Sequence, residues 1–318
     1  VIQKPRWEYH PPGYYDEGAL GELRRAVISS YSETLDPDHA AVLGGVVMGE
    51  RSSLPRDLVR AFRQAGAMHL LVASGSNVAF ALLLAAGSAR LLGASRAQSF
   101  VAGALGALLY TLCAGADPPL VRGFLMTAAA LAGYFLGRNP GAFQGLVLSC
   151  WALALWDPHV VFNAGFQMSF AACFGLVASS KAWRPPPRWP APARFVAGVF
   201  FASLAAQIAI TPVIAAHFRQ VSLAALFSNV LLVPMSGALM YAGFALTGVH
   251  WVAPGLDRPV GGLVDLALAC FEWLVRFFAA WGLTWRTPPP GPVFLAVYYA
   301  AVICLWCRRD KKEYNTSE

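Results

Sequence analysis

Residues 222–248 read SLAALFSNVLLVPMSGALMYAGFALTG, an apolar run that contains no charged side chain. A helix needs about 20 mostly apolar residues to cross the roughly 30 Å hydrocarbon core of a bilayer, and this run is long enough. Similar runs recur along the chain, separated by short polar or proline-rich breaks. Across all 318 residues, 57% are hydrophobic and 13% are charged, against roughly 25% charged residues in a soluble domain. The sequence therefore predicts an all-α, polytopic membrane helical bundle and excludes an ordinary soluble fold.

The apolar runs define about nine candidate spans. The run quoted above contains Pro234, so we expect its helix to be kinked, broken or re-entrant there. The eighth span carries Glu272 and Arg276 four residues apart, which predicts that the two charges neutralise each other on one helix face. The predicted spans cover about 69–92, 97–114, 119–136, 141–156, 159–180, 195–216, 222–248, 259–283 and 292–307.

Three segments organise the chain. Residues 1–66 are predicted to lie outside the cytoplasm, residues 67–307 to form the transmembrane domain, and residues 308–318 to form a basic cytoplasmic tail. Within the first segment, Ser53–Gln64 has apolar residues at helical spacing, which predicts an amphipathic helix at the membrane interface. With the N-terminus outside, the inner loops and the tail hold most of the loop lysines and arginines. The positive-inside rule therefore favours a multi-pass protein of the cytoplasmic membrane with its C-terminus inside.

Polar side chains inside the predicted spans indicate where a water-accessible path runs, because exposing them to lipid is costly. Two pairs lie four residues apart and so share a helix face: Asn163 with Gln167, and Gln207 with Thr211. Interhelical hydrogen bonding without a path is a sufficient explanation for any single polar residue. The candidates for the lining of a polar path are His69, Ser74, Asn77, Arg122, Asn163, Gln167, Gln207, Thr211 and Asn229.

The amphipathic helix also carries a basic stripe. Arg56, Arg60 and Arg63 follow one another at positions i, i+4 and i+7, and Arg51 comes just before them. On the outer face, such a stripe attracts phosphates, either those of a nucleic acid or those of anionic lipid head groups. The sequence leaves both partners open.

The signatures of soluble enzymes do not occur in the sequence. It has no G-x-x-x-x-G-K-[ST], no H-E-x-x-H and no G-x-S-x-G. We therefore expect no catalytic activity, no metal and no cofactor. Ser74, with His69 as its base, leaves a membrane-embedded hydrolase as an alternative. A small-residue cluster that allows close helix packing is the simpler interpretation of this stretch.

Five ordered motifs resemble those of the competence domain of the ComEC competence proteins. Gly49–Pro55 reads GERSSLP, Phe62–Gly66 reads FRQAG and His69–Val78 reads HLLVASGSNV. They are similar to that family's G-[DE]-R-S, F-R-x-A-G and H-L-L-A-x-S-G-x-[HN]-V. Pro118–Met126 resembles P-x-x-R-A-x-x-M apart from one glycine, and Asp157–Phe170 resembles D-P…G-F-Q-L-S-F. Later landmarks follow in order at Gln207, Thr211, Pro212, Ser228, Asn229 and Pro234.

The resemblance implies a channel of the bacterial cytoplasmic membrane that admits single-stranded DNA during natural transformation. Besides membrane lipid, it implies three partners: external DNA-capture components, an external nuclease and a cytosolic ATPase. Full-length members commonly carry a metallo-β-lactamase-like nuclease domain. No H-x-H-x-D-H occurs in this chain, so the resemblance implies no nuclease activity for it. The polar residues above then become a candidate DNA path, and Arg51, Arg56, Arg60 and Arg63 become a DNA-recruiting stripe.

A second function class fits the same residues. Polar stripes and a broken seventh span also suit a small-solute or ion transporter with a polar intramembrane cavity. An inverted repeat of the spans would favour this alternative.

Overall fold

The protein folds into a helical bundle. Its structure, a computed structural model, describes residues 18–137, 141–180, 183 and 185–302. Almost all regular structure is helical, which confirms the all-α prediction. The helices are α1 (Ala19–Thr34), α2 (Pro37–Met48), α3 (Arg56–Gln64), α4 (Gly75–Leu91), α5 (Arg96–Cys113), α6 (Pro118–Phe135), α7 (Ala142–Trp156), α8 (Ala164–Ser179), α9 (Ala191–Phe218), α10 (Ala225–Val252), α11 (Asp257–Ala279) and α12 (Pro292–Val302).

Helices α4 to α11 begin and end close to the predicted spans, because prolines, glycines and capping residues interrupt the apolar runs. Ser95, for example, starts α5 with a capping box: its hydroxyl accepts a hydrogen bond from the amide of Gln98, whose side chain accepts one in return. The span predicted at 159–180 is shorter than expected. Its first part is a 3₁₀ turn, Pro158–Phe162, and the α-helix begins only afterwards. Helix α12 begins where the ninth span was predicted, whereas residues 303–307 of that span and the predicted tail 308–318 lie outside the described residues.

Two helices of the described chain, α9 and α10, are both long enough and apolar enough to cross a membrane. Helices α4, α7, α8 and α12 are also apolar but shorter. The number of nine spans therefore stays a prediction.

A break at Pro234 is not observed, and a kink at this position stays a prediction. Helix α10 continues without interruption from Ala225 to Val252, with Pro234 inside it. A proline removes one backbone hydrogen bond and crowds the preceding turn. Neighbouring helices can hold such a helix together, because packing stabilises the residues on both sides of the proline.

The N-terminal helices belong to the same hydrophobic core as the later ones. Helices α1 and α2 form a hairpin that turns at Leu35 and Asp36, and every residue of α2 from Ala40 to Met48 is buried. The core also includes side chains of α3, α4, α10 and α11. Helix α2 is thus a central core helix, although its run is too short to cross a bilayer.

Helix α3 confirms the predicted amphipathic helix. Its apolar residues Leu58 and Phe62 are fully buried, and the ring of Phe62 packs 5.9 Å from that of Phe271 on α11. The apolar face therefore contacts protein. Its position at the membrane interface stays a prediction.

The predicted neutralisation of Arg276 by Glu272 is replaced by another pairing. Arg276 Nη2 lies 3.1 Å from Asp57 Oδ2, which joins α11 to α3, and this hydrogen bond lowers the pKa of Asp57. Glu272 Oε1 instead lies 4.0 Å from His39 Nε2. The guanidinium reaches across to α3 because that helix packs directly against α11.

One short sheet was not predicted. Strand β1 (Gln220–Ser222) follows α9, strand β2 (Thr284–Arg286) follows α11, and the two pair antiparallel. Strands of this length give almost no periodic signal in a sequence.

Candidate functional site

Several helices begin at the same end of the bundle. A Cβ atom added to Gly123 of α6 would lie 2.9 Å from Cα of Gly75, where α4 begins. One added to Gly165 of α8 would lie 3.7 Å from Pro119 of α6, and α10 begins against the loop that follows α3. Most of the predicted path residues lie at this end. We call them the polar rim: His69, Ser74, Asn77, Arg122, Asn163, Gln167 and Asn229.

Arg122 is the charged member of the polar rim. Its side chain is buried on α6 and reaches α8, where Nε donates a hydrogen bond of 2.8 Å to Ser169 Oγ. Nη1 contacts Cys173 Sγ at 2.6 Å and Met126 Sδ at 3.3 Å, and the guanidinium carbon lies 5.9 Å from the ring centroid of Phe170. Of the described carboxylates, none lies within 4.0 Å of this guanidinium. Its positive charge is therefore buried without an ion pair from this part of the chain.

Asn77 joins three helices. Its amide Nδ2 donates hydrogen bonds to Val46 O at 2.8 Å and to Tyr110 Oη at 3.1 Å, and Tyr110 Oη donates to Val47 O at 2.7 Å. These carbonyls belong to the last turn of α2 and are otherwise left without helical partners. The Asn77 side chain thus fixes the end of α2 against α4 and α5.

Ser74 lies beside Asn77. The Ser74 hydroxyl bonds Ser76 Oγ at 2.7 Å and Asn77 Oδ1 at 3.3 Å. His69 lies in the 3₁₀ turn Met68–Leu71, where its ring is accessible to solvent although protein atoms surround it on most sides. Within the described chain, the hydrogen bonds of Ser74 lead to its own neighbours and not to His69, so the serine–histidine pair of the hydrolase alternative is not formed.

Asn163 and Gln167 organise the start of α8. Asn163 Oδ1 caps the helix by accepting a hydrogen bond of 3.1 Å from the amide of Phe166. Gln167 Nε2 donates to Val161 O at 2.9 Å, and its Oε1 lies 2.8 Å from His217 Nε2. Because this oxygen can only accept, the histidine donates through Nε2. His217 was missed as a candidate. Its position at the end of an apolar span was the available signal.

Gln207 and Thr211 lie further along α9, away from the rim. Gln207 Nε2 donates to Thr211 Oγ1 at 3.4 Å, and the threonine hydroxyl donates back to Gln207 O at 2.6 Å. The predicted shared face is confirmed, because the Gln207 amide and the Thr211 hydroxyl are hydrogen-bonded within one helix.

Asn229 differs from the other members of the rim. Its Oδ1 is inaccessible to solvent and has no hydrogen-bond partner among the described residues. The neighbouring Ser228 hydroxyl donates to Ala65 O at 2.9 Å and so joins α10 to the end of α3. A buried acceptor of this kind is satisfied by a water molecule or by a donor group on a ligand.

The predicted basic stripe lies on the outside of α3. Its members, Arg51, Arg56, Arg60 and Arg63, are all exposed to solvent. Just before them, Glu50 Oε2 pairs with Arg24 Nη2 at 3.1 Å. Partial burial raises the pKa of Glu50, but hydrogen bonds from Ser52 and Arg24 outweigh it and lower the pKa to about 2. Glu50 is therefore ionised and already paired.

One group of side chains outside the rim has the composition of a metal site. Ligand atoms of Asp36, His39 and Asp265 lie within 4.8 Å of one another, and His39 Nδ1 is 2.8 Å from Asp265 Oδ1. Glu272 lines the adjacent surface cavity of about 320 Å³. No local pattern predicts this group, because its members lie near α2 and on α11, which are far apart along the chain. Asp36 is exposed, and imidazole with carboxylates suits a divalent cation.

Comparison with known proteins identifies relatives of this chain. The family model described as "Competence protein" matches residues 46–312. ComE operon protein 3 of Bacillus subtilis is 28% identical over 301 residues, which covers 92% of this chain and 37% of that protein. The uncharacterized protein YcaI of Escherichia coli is 28% identical over 84% of this chain and 40% of its own length. Competence protein ComA of Neisseria gonorrhoeae is 35% identical over 45% of this chain and 21% of its own length.

The chain thus spans about two fifths of the length of the first two relatives. No solved structure matches it. The family match includes α4 to α12 with the whole polar rim, and it begins within α2. The resemblance noted in the sequence is therefore confirmed, and the chain belongs to the Competence protein family.

Proposed function

We propose that this chain forms a channel domain through which single-stranded DNA enters bacteria during natural transformation. The observation that carries the proposal is Arg122. It is buried in the polar rim, without a described carboxylate to neutralise it. A buried, unpaired cation is costly for stability, so its presence indicates that an anion binds nearby. The phosphates of a passing DNA strand supply such an anion.

A location in the cytoplasmic membrane is supported by the surface of the bundle. Large apolar side chains point outward along several helices: Leu105 is 61% exposed, Trp151 65%, Leu155 75% and Leu263 71%. Many exposed large apolar side chains are typical of a surface that contacts lipid or another protein. We infer a multi-pass arrangement in which the polar rim lies on the extracytoplasmic side of the membrane and the C-terminal tail lies in the cytoplasm.

The electrostatics of the rim also suit a polyanion. Helices α4, α6, α8 and α10 begin at this end, and each helix N-terminus carries roughly half a positive charge. A strand with one phosphate per roughly 3.4 Å places on the order of nine negative charges across roughly 30 Å of hydrocarbon. The amides of Asn163 and Gln167 are neutral, so they bind phosphates weakly enough for the strand to move on.

The names of the relatives support the same role. Two of them are called ComE operon protein 3 and competence protein ComA. This chain spans less than half of each of these two relatives. We infer that external capture components and a nuclease present one strand, and that a cytosolic ATPase pulls it inward.

The test is uptake of labelled DNA by competent cells that lack their own channel. These cells receive this chain together with a separate extracellular nuclease. We expect wild type to restore uptake, and Arg122→Ala and Gln167→Leu to lose it while they still insert into the membrane. Arg90→Ala at an exposed position away from the rim is the matched control. Correct insertion of wild type without any DNA uptake would contradict the proposal.

A transporter of small solutes or ions is the second candidate. It is favoured by the surface cavity beside His39 and Glu272, since ionisable groups of this kind occur in ion pathways. Flux of a labelled cation into vesicles that contain the purified chain distinguishes the two. If the chain is a DNA channel, we expect no cation-specific flux. A cation flux that His39→Gln abolishes would favour the transporter.

A further inference from the structure

Three separate segments meet beside the basic stripe. The last carbonyl of α3, Gln64 O, accepts hydrogen bonds from Ser222 Oγ at 2.8 Å and from Thr284 Oγ1 at 3.2 Å. These hydroxyls belong to β1 and β2. The amide of Thr287 donates to Arg219 O at 3.1 Å, which closes the sheet at its other side. The two-stranded sheet is thus fixed against the C-terminal end of α3.

The alternation of side chains along a strand places Arg286 on the α3 side of this sheet. Thr284 reaches Gln64 of α3, and residues two apart on a strand point to the same face. Gln220 pairs with Arg286 across the sheet and shares that face. Trp285 is on the opposite face. Arg286 therefore extends the basic surface of α3 across the sheet.

The surface built in this way is strongly positive. None of the described carboxylates lies within 4.0 Å of any of its arginines. Asp57, the acid of α3, is already paired with Arg276. We name this surface the basic collar. Its members, all exposed to solvent, are Arg56, Arg60, Arg63 and Arg286, together with Arg219, which directly precedes β1 and accepts the hydrogen bond from the amide of Thr287, the residue after Arg286.

Aromatic residues fix the orientation of the collar. Trp285 is 49% exposed on the face of the sheet away from α3, and Trp281 is 41% exposed at the end of α11, where its ring packs 5.6 Å from that of Phe227. Exposed tryptophans are enriched at the boundary between membrane and water. With the tryptophans at that boundary, the other face of the sheet, which carries Arg286, is turned to water.

We propose that the basic collar binds the phosphates of a single DNA strand and delivers the strand to the polar rim. The inference rests on the proposed function and adds Arg219 and Arg286 to it. The collar is continuous with the rim, because Ser228 next to Asn229 donates a hydrogen bond to Ala65, the residue that follows α3. A strand that contacts several collar arginines therefore lies beside the rim.

The experiment measures binding of a fluorescein-labelled oligothymidylate to the full chain in phosphatidylcholine nanodiscs. Its length of about 20 nucleotides exceeds the roughly 4–16 that one small single-strand-binding fold covers. Affinity is measured between about 50 and 200 mM salt, because each lost phosphate contact reduces the slope of log K against log salt by about 0.7 for single strands. The double variant Arg219→Gln, Arg286→Gln is compared with wild type and with Arg90→Gln, Arg96→Gln, a control pair of exposed arginines away from the collar.

In the double collar variant, we expect the slope of log K against log salt to fall by about 1.4, because two phosphate contacts of about 0.7 each are removed. This corresponds to about 25-fold weaker binding at 0.1 M salt when both proteins bind equally at 1 M. The control pair should keep the wild-type slope.

An unchanged slope in the collar variant overturns the inference, and so does an equal loss in the control pair. If the collar substitutions weakened only binding to phosphatidylglycerol vesicles, this result would also overturn the inference, because the collar would then bind lipid head groups.

DNA uptake by cells is measured separately. If wild type takes up DNA and the collar variant keeps the wild-type salt slope, the collar proposal is contradicted and the channel proposal is supported. If wild type binds the oligonucleotide through the collar but cells take up no DNA, the channel proposal is contradicted and the collar proposal is supported.

Discussion

Replacing Arg122 by methionine separates a structural role of this residue from a functional one. Methionine keeps a long, unbranched side chain in the same space but removes the charge. The variant loses the 2.8 Å hydrogen bond to Ser169, worth about 1.5–3 kcal/mol for a charged donor, and the contact with Phe170, worth about 0.5–2 kcal/mol. It also removes the desolvation cost of a buried charge, which is several kcal/mol. We therefore expect a free energy of unfolding within about 2 kcal/mol of wild type.

DNA uptake should respond very differently. A charge-assisted hydrogen bond from Arg122 to a phosphate contributes about 2 kcal/mol, and each 1.36 kcal/mol corresponds to a factor of about 10. Uptake by the methionine variant should therefore fall about 30-fold. Arg122→Lys should be intermediate, because lysine keeps the charge but lacks the planar guanidinium.

The assay combines DNA uptake in cells that lack their own channel with thermal unfolding of the purified protein in nanodiscs. Arg90→Met, an exposed position away from the rim, is the matched control. Unchanged uptake by inserted Arg122→Met would refute the reasoning. A loss of stability much larger than about 2 kcal/mol would show that the guanidinium mainly holds α6 to α8.

Three further predictions concern stability. Asn77→Ala should cost about 2–4 kcal/mol in thermal unfolding, because two hydrogen bonds are lost and a buried carbonyl is left unpaired; the exposed Ser76→Ala is its control. Gly123→Val should prevent folding, since its Cβ would stand 2.9 Å from a backbone carbon of α4, whereas Gly198→Ala meets nothing within 4 Å and should stabilise α9 slightly. Glu50 has its pKa lowered from 4.5 to about 2, so its contribution to stability is complete above pH 4.5 and is lost as the pH falls towards 2.

Specific results would contradict each of these. Equal melting temperatures for the Asn77 and Ser76 variants would show that the amide bonds contribute little. A folded Gly123→Val protein would mean that α4 and α6 can separate at this point. For Glu50→Gln, the expected result is a flatter stability profile between pH 4.5 and about 2. A profile parallel to that of wild type would show that titration of Glu50 does not cause this pH dependence.

The helices could be predicted from the sequence because apolar runs, prolines and capping residues act locally. The basic stripe of α3 could be predicted for the same reason, since helical spacing alone places Arg56, Arg60 and Arg63 on one face. The burial of α2 could not be predicted. Its run is short, and only contacts with distant helices decide whether such a run lies in the core.

The hydrogen-bond and ion-pair partners of individual polar residues also could not be predicted from the sequence. Arg276 pairs with Asp57 rather than with Glu272, because the approach of α3 to α11 sets the partner. The hydrogen bond between Gln167 and His217 depends on how α8 packs against α9. Pro234 does not break α10, because packing keeps the helix continuous through it. Local patterns thus located the polar residues, while tertiary contacts decided what each one binds.

The burial of α2 has a consequence for how the protein is made. His39 of α2 contacts Asp265 of α11, and 226 positions separate them along the chain. Ribosomes add about 5–20 residues per second, so the hairpin of α1 and α2 waits roughly 10–45 s for the helices that cover it. During this interval the apolar residues of α2 that contact α10 and α11 lack these neighbours. Biogenesis of the protein therefore requires a holding partner, such as the insertion machinery or the bilayer surface, until α10 and α11 have been synthesised.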